Sequence, residues 1–210
     1  MLYLIAGLVI FLGVHSLRIF AEGWRVATIA RVGEKTFKGI YSAVSLAGFV
    51  LLVWGFGVAR ETPVLLWNPP VGMRHMASLL TLVAFVFLAS TYCPPNAIKA
   101  RLNHPMVLAI KTWALAHLLA NGTVAHVVLF GSFLAWGVLD FIAARKRDRA
   151  QNIQYPAATA KGTVMAVVSG VLAWALMAFW ARGAIRTNHC WETLGSTIVV
   201  QRSQCPTECM

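Results

Sequence analysis

Six runs of apolar residues, separated by short polar stretches, leave this chain very few ways to fold. They extend approximately from Leu2 to Leu17, Ile40 to Ala59, Met76 to Tyr92, Pro105 to Ala120, Thr123 to Ala144 and Thr163 to Ala181. Most come close to the roughly 20 residues with which a helix crosses about 30 Å of hydrocarbon. In lipid every backbone N–H and C=O needs an internal partner, and these runs lack the period-two alternation of a barrel strand, so helices are the spanning structure they can form. With 59% apolar and only 12% charged residues, against about 25% charged in soluble domains, a soluble globule is excluded. The expected fold class is all-α, an integral membrane bundle of about six transmembrane helices over residues 1–181, with the lipid bilayer as its first partner. The first run lacks a basic leader and a small-residue cleavage site before Arg18, so it reads as a retained helix. From Arg182 to residue 210 the chain is polar and aperiodic, with Cys190, Cys205 and Cys209 scattered through it. The expectation there is a disordered tail, foreign to the rest of the chain.

A formal net charge of +11 would suggest nucleic acid in a soluble protein, but here the basic residues are sorted by loop. Arg18, Arg25, Arg31, Lys35 and Lys38 follow the first run, Lys99 and Arg101 the third, and Arg145, Lys146, Arg147, Arg149 and Lys161 the fifth. That places twelve basic residues on one side of the membrane against five on the other, with Lys111 inside a helix. By the positive-inside rule the three basic loops are expected in the cytoplasm and both termini outside it. The basicity is topological, and no nucleic-acid partner is expected.

Ionisable side chains within apolar runs are expensive and mark candidate functional sites. On the first run His15 and Arg18 point the same way one turn apart, with Arg18 able to reach the headgroups. An intramembrane imidazole with a guanidinium one turn nearer the surface suits a b-type haem, imidazole on iron and guanidinium on a propionate. A histidine hydrogen-bonded to a neighbouring helix suits the same spacing. In the central hairpin from Asn103 to Asp140, the residues Trp113, His117 and Asn121 recur at i, i+4 and i+8 and outline a polar slot on one face. His117 either handles a ligand or proton there, or is satisfied by His126 near the same end of the next helix. Elsewhere, Leu66-Trp67-Asn68-Pro69-Pro70 reads as an interfacial aromatic cap and Tyr92-Cys93-Pro94-Pro95-Asn96 as a hard stop. His75 reads as a surface histidine and Asp140 as an end-of-helix ion pair with the basic cluster after it. Gly48, Gly55 and Gly57 mark a packing helix. No Gly-rich phosphate loop, Ser-His-Asp set or paired intramembrane carboxylates is visible, which argues against nucleotide-driven transport and hydrolysis.

The segments Gly13-Val14-His15-Ser16-Leu17-Arg18, Leu66-Trp67-Asn68-Pro69-Pro70, Cys93-Pro94-Pro95-Asn96, Asn103-His104-Pro105, Lys111 to Gly122 and Leu129-Phe130-Gly131-Ser132 together strongly resemble the bacterial NnrU family. The resemblance covers roughly Met1 to Trp180, and its most specific part runs from Trp113 to Gly122. It implies a multi-pass protein of the bacterial inner membrane, associated with denitrification through nitrite and nitric oxide reduction. A respiratory reductase or its maturation factors would be the partner. The family is related to the zeta-carotene cis-trans isomerases, membrane enzymes that bind haem b through histidines in a His-Ser motif and an Ala-His motif. Carried over, those ligands are His15 in His15-Ser16 and His117 in Ala116-His117; by the spacing already described, Arg18 would lie near a propionate and Trp113 and Asn121 would share the slot of His117. Where the isomerases carry a cysteine beside the second ligand, this chain has Ala114, so a ligand switch through that position is not implied. Three functions stay open: a redox- or nitric oxide-responsive membrane component with haem b between the first and fourth apolar helices, a haem-dependent isomerase of a polyene, and a non-enzymatic accessory protein of a reductase. At about 1.5 Å per residue, His15 lies roughly 20 Å and His117 roughly 12 Å below the outer face, a mismatch of about 8 Å for two axial ligands.

Overall fold

The computed structural model describes residues 1–180, which are helical apart from their connections and one isolated backbone bridge. Nine helices are present among them: α1 (Leu2–His15), α2 (Leu17–Phe20), α3 (Glu22–Val32), α4 (Glu34–Ala59), α5 (Val71–Tyr92), α6 (Ala97–Leu102), α7 (Pro105–Ala120), α8 (Val124–Ala150) and α9 (Ala160–Trp180). The six apolar runs are α1, α4, α5, α7, α8 and α9. The polar tail and its three cysteines lie outside the described residues. The charged segment after α2 is largely helix instead of loop: Arg25 reaches back one turn to Glu22 at 3.0 Å, and Gly33, at φ 85°, turns α3 into α4.

α4, α5, α8 and α9 are long and apolar enough to cross a membrane. α1 and α7, with 14 and 16 residues, reach only about 21 and 24 Å. Pro105 opens α7, where its missing N–H costs nothing, and Asn121-Gly122 closes it. Large apolar side chains such as Leu46, Leu79, Leu172 and Phe179 are exposed on the outside of the bundle, the surface that lipid covers.

Small residues set the closest helix approaches, as expected where lipid offers no hydrophobic drive for association. A Cβ on Gly7 would run into the Leu52 backbone, and one on Gly55 into the Leu4 backbone, so α1 and α4 touch main chain to main chain. Gly48 sits against Ile10 and Phe11 in the same seam, whereas Gly57 faces open space. Gly170 of α9 lies on the Val86 backbone of α5. α5 also packs on α7 and α7 on α8, while α8 touches α1. α8 therefore stands between α1 and α7, which do not pack on each other.

Both ends are tied. At one end Leu66 N and Trp67 N donate to Gly122 O at 2.7 and 3.2 Å, and Val124 N to Val64 O at 2.9 Å, so the Trp67 loop crosses the α7–α8 turn. At the other end, where the basic loops converge, fully buried Asn96 donates to Ser90 O and Pro94 O at 3.0 and 2.9 Å and caps α6 by accepting from Lys99 N at 2.9 Å. The start of α9 docks there through Thr159, which donates from Oγ1 to Pro95 O at 2.6 Å, and Thr163, whose Oγ1 accepts from Ala97 N at 3.0 Å.

Candidate functional site

His15 ends α1 at the basic end of the bundle. Its Nδ1 lies 2.7 Å from Phe11 O; a carbonyl only accepts, so Nδ1 carries the proton and Nε2 keeps its lone pair, the tautomer in which histidine binds metals. Nε2 makes no hydrogen bond among the described residues. The ring is set among Phe11, Tyr41 and Trp136 at centroid distances of 4.4, 5.5 and 6.2 Å. It lines a cavity of about 620 Å³, within the roughly 300–1,000 Å³ typical of small-molecule sites.

Arg18 lines the same cavity, joined from other helices by Arg25, Lys38, Lys99 and Arg147. Most of these cations are engaged: Arg25 with Glu22, Lys38 with Glu34 at 2.6 Å, Lys99 with Thr91 O at 2.9 Å. Arg147 donates to Arg18 O at 3.1 Å and approaches Asp140 at 3.9 Å. The Arg18 guanidinium forms no ion pair among the described residues. Asp140 thus pairs two turns along α8, which continues to Ala150, instead of at a helix end.

Sequence reasoning missed a further group on this cavity. His104 Nε2 lies 2.9 Å from Asp148 Oδ2 but off the line of a hydrogen bond, leaving that nitrogen unsatisfied. The same oxygen accepts from Tyr155 OH at 2.5 Å. Burial, followed by donation to Asp148 and the Asp148 charge, pushes the Tyr155 hydroxyl up to about 12. These three residues clasp the start of α7, the end of α8 and the connection to α9. They are too far apart in sequence for spacing to reveal them.

The structure gathers Trp113 and His117 around a second position. Their rings meet at 5.3 Å, and His117 stacks on Phe130 at 4.4 Å with an interplanar angle of 8°. His126 packs on the same Phe130 ring, at 6.0 Å, but makes no hydrogen bond to His117 among the described residues; it meets Thr123 Oγ1 at 2.6 Å. Asn121 serves the helix end, donating to His117 O at 2.9 Å and satisfying one of the last free carbonyls. His75 is exposed.

His15 and His117 do not converge. Phe11, Phe133 and Trp113 fill the space between them, with successive centroids at 5.9 and 5.6 Å. They also differ in depth: Trp136, which meets His15 edge-on, and Phe130, which stacks on His117, are six residues apart on α8, or about 9 Å along its axis. Two imidazoles so placed do not fit the opposite faces of one haem. One imidazole fits it on its own at His15, where the free Nε2, the aromatic wall and the unpaired Arg18 share a cavity of sufficient size. Among the described residues no group of three or more His, Cys, Asp or Glu side chains is placed to hold a bare metal ion.

A family model described as NnrU protein matches residues 3–187. No curated protein and no solved structure matches the chain.

Proposed function

The chain belongs to the NnrU family, and on that premise we propose that it serves nitrogen-oxide respiration as a membrane bundle holding b-type haem in the basic-end cavity through His15. The observation that carries this reading is the contact of His15 Nδ1 with Phe11 O at 2.7 Å, which leaves Nε2 as the ring nitrogen without a protein partner on a residue lining a cavity of about 620 Å³. Arg18 supplies a cation for a carboxylate one turn nearer the headgroups, and Tyr41 and Trp136 supply flat walls. Trp136 Nε1 is buried without a partner among the described residues. His15 would hold the haem, which would supply a reducible iron able to take a small ligand. The positive-inside rule puts this end of the bundle in the cytoplasm. The site thus suits a component that responds to nitric oxide beside a reductase. The apolar pocket at His117 is separate from this cavity, which favours the respiratory reading over polyene isomerisation, where substrate and iron would share a space.

The test is a visible spectrum of protein purified after expression with ample haem. The wild type is expected to show a Soret band, His15→Ala to lose it, and Arg18→Gln to retain several-fold less. A colourless wild type, or full haem retention in His15→Ala, would overturn the reading.

A further inference from the structure

α5, α7 and α9 line a second, partly open cavity of about 300 Å³. Its wall is apolar, built from residues such as Ala84, Phe85, Leu88 and Met177, and three polar side chains reach it: Thr81, Trp113 and His117. Thr81 Oγ1 is committed, donating to Ala77 O at 2.7 Å. The His117 ring makes no hydrogen bond among the described residues. Asn121 takes only its backbone carbonyl, His126 is turned to Thr123, and Phe130 covers one face of the imidazole. A neutral imidazole carries one donor and one acceptor, and in hydrocarbon an unmet hydrogen-bonding group is costly.

That mismatch selects the occupant. A pure hydrocarbon would leave the imidazole unmet, and a charged molecule would lose its hydration to an apolar wall without a counter-ion. A flat, lipid-soluble ring bearing a carbonyl oxygen meets both conditions, because the ring stacks on aromatic side chains while the oxygen accepts from the imidazole. The volume, at the low end for ligand sites, takes one substituted ring and leaves an alkyl tail in the lipid beside α9, where Leu176 is exposed. We propose that this cavity binds a membrane quinone head group, with His117 donating to a quinone carbonyl and Trp113 as the aromatic wall. Met177, unbranched and adaptable, closes the side formed by α9. The cavity shares no lining residue with the one at His15, so quinone binding lost in His117→Leu and haem lost in His15→Ala are separate readouts of this proposal and of the haem reading.

The experiment is saturation binding of radiolabelled decylubiquinone to the full chain in phosphatidylcholine nanodiscs. One saturable site is expected in the wild type. His117→Leu is expected to weaken it at least tenfold, equivalent to about 1.4 kcal/mol, while His117→Gln, which keeps a donor, stays within about threefold of wild type. Ala84→Leu, which fills the cavity without touching the imidazole, is expected to weaken binding as well, and it carries the test if His117→Leu fails to assemble. The proposal is overturned if the wild type shows no saturable binding, or if a well-assembled His117→Leu binds like wild type. It is also overturned if decylbenzene, which has no carbonyl, displaces the probe as well as unlabelled decylubiquinone does.

Discussion

Asn96 shows how much one residue can hold at the basic end. Its side chain is fully buried and joins the end of α5, the proline pair and the first turn of α6 through three hydrogen bonds. Replacing it with alanine strands two carbonyls and one N–H, so Asn96→Ala is expected to cost about 2–4 kcal/mol, read as a lower unfolding midpoint in detergent. Asn96→Asp keeps the acceptor toward Lys99 N and should fall between. Tyr155 offers a pH test. Its hydroxyl is raised from an ordinary value of 10.0 to about 12, so the folded state holds this proton more tightly than the unfolded chain does. The contribution of the Tyr155–Asp148 clasp is therefore fully present below about pH 10 and lost as pH rises through about 12. Tyrosinate absorbance should reveal one late-titrating tyrosine that is missing in Tyr155→Phe. At this scale the sequence was legible where partners are helical neighbours, as for His15 with Arg18 or Trp113 with His117. It was illegible where a third side chain takes part: nothing in the spacing of His117 and His126 announces that both rings pack on Phe130 and that His126 turns to Thr123, or that Asp148, inside a basic cluster, faces His104.

Among the elements, the six apolar runs emerged as helices because length and hydropathy decide that question in lipid. The charged segment before α4 read as a loop because of its charge, although Glu22, Arg25, Thr28 and Arg31 recur every third residue and leave the rest of the helix surface apolar, the period of an amphipathic surface helix. The packing glycines were legible in part: Gly48 and Gly55 meet α1, Gly57 meets nothing, and Gly7 supplies the reciprocal contact from α1. Gly55→Leu is expected to separate α1 from α4 and lower the unfolding midpoint, whereas Gly57→Leu leaves it near wild type. Gly122 is under a tighter constraint, because a Cβ there would run into Trp67 O. Gly122→Ala should detach the Trp67 loop from the α7–α8 turn, seen as faster proteolysis between α4 and α5; cleavage at the wild-type rate would contradict that contact.

At the scale of the whole molecule the deciding fact is the order of the helices. With α8 between α1 and α7, His15 and His117 occupy different cavities at depths about 9 Å apart, close to the offset obtained by counting residues along the runs. The sequence segments singled out both histidines as candidates without saying that they face different spaces, because a motif carries identity and not the neighbour across the bundle. On the proposed reading each histidine would serve a ligand of its own, and a haem in the basic-end cavity would take one imidazole, that of His15. The most direct test is the spectrum of the dithionite-reduced protein before and after carbon monoxide. A shift of the Soret band on adding carbon monoxide, unchanged in His117→Ala and absent with the haem in His15→Ala, is the predicted result. A low-spin spectrum that carbon monoxide leaves untouched and that either histidine variant abolishes would contradict it, and would place both imidazoles on one iron.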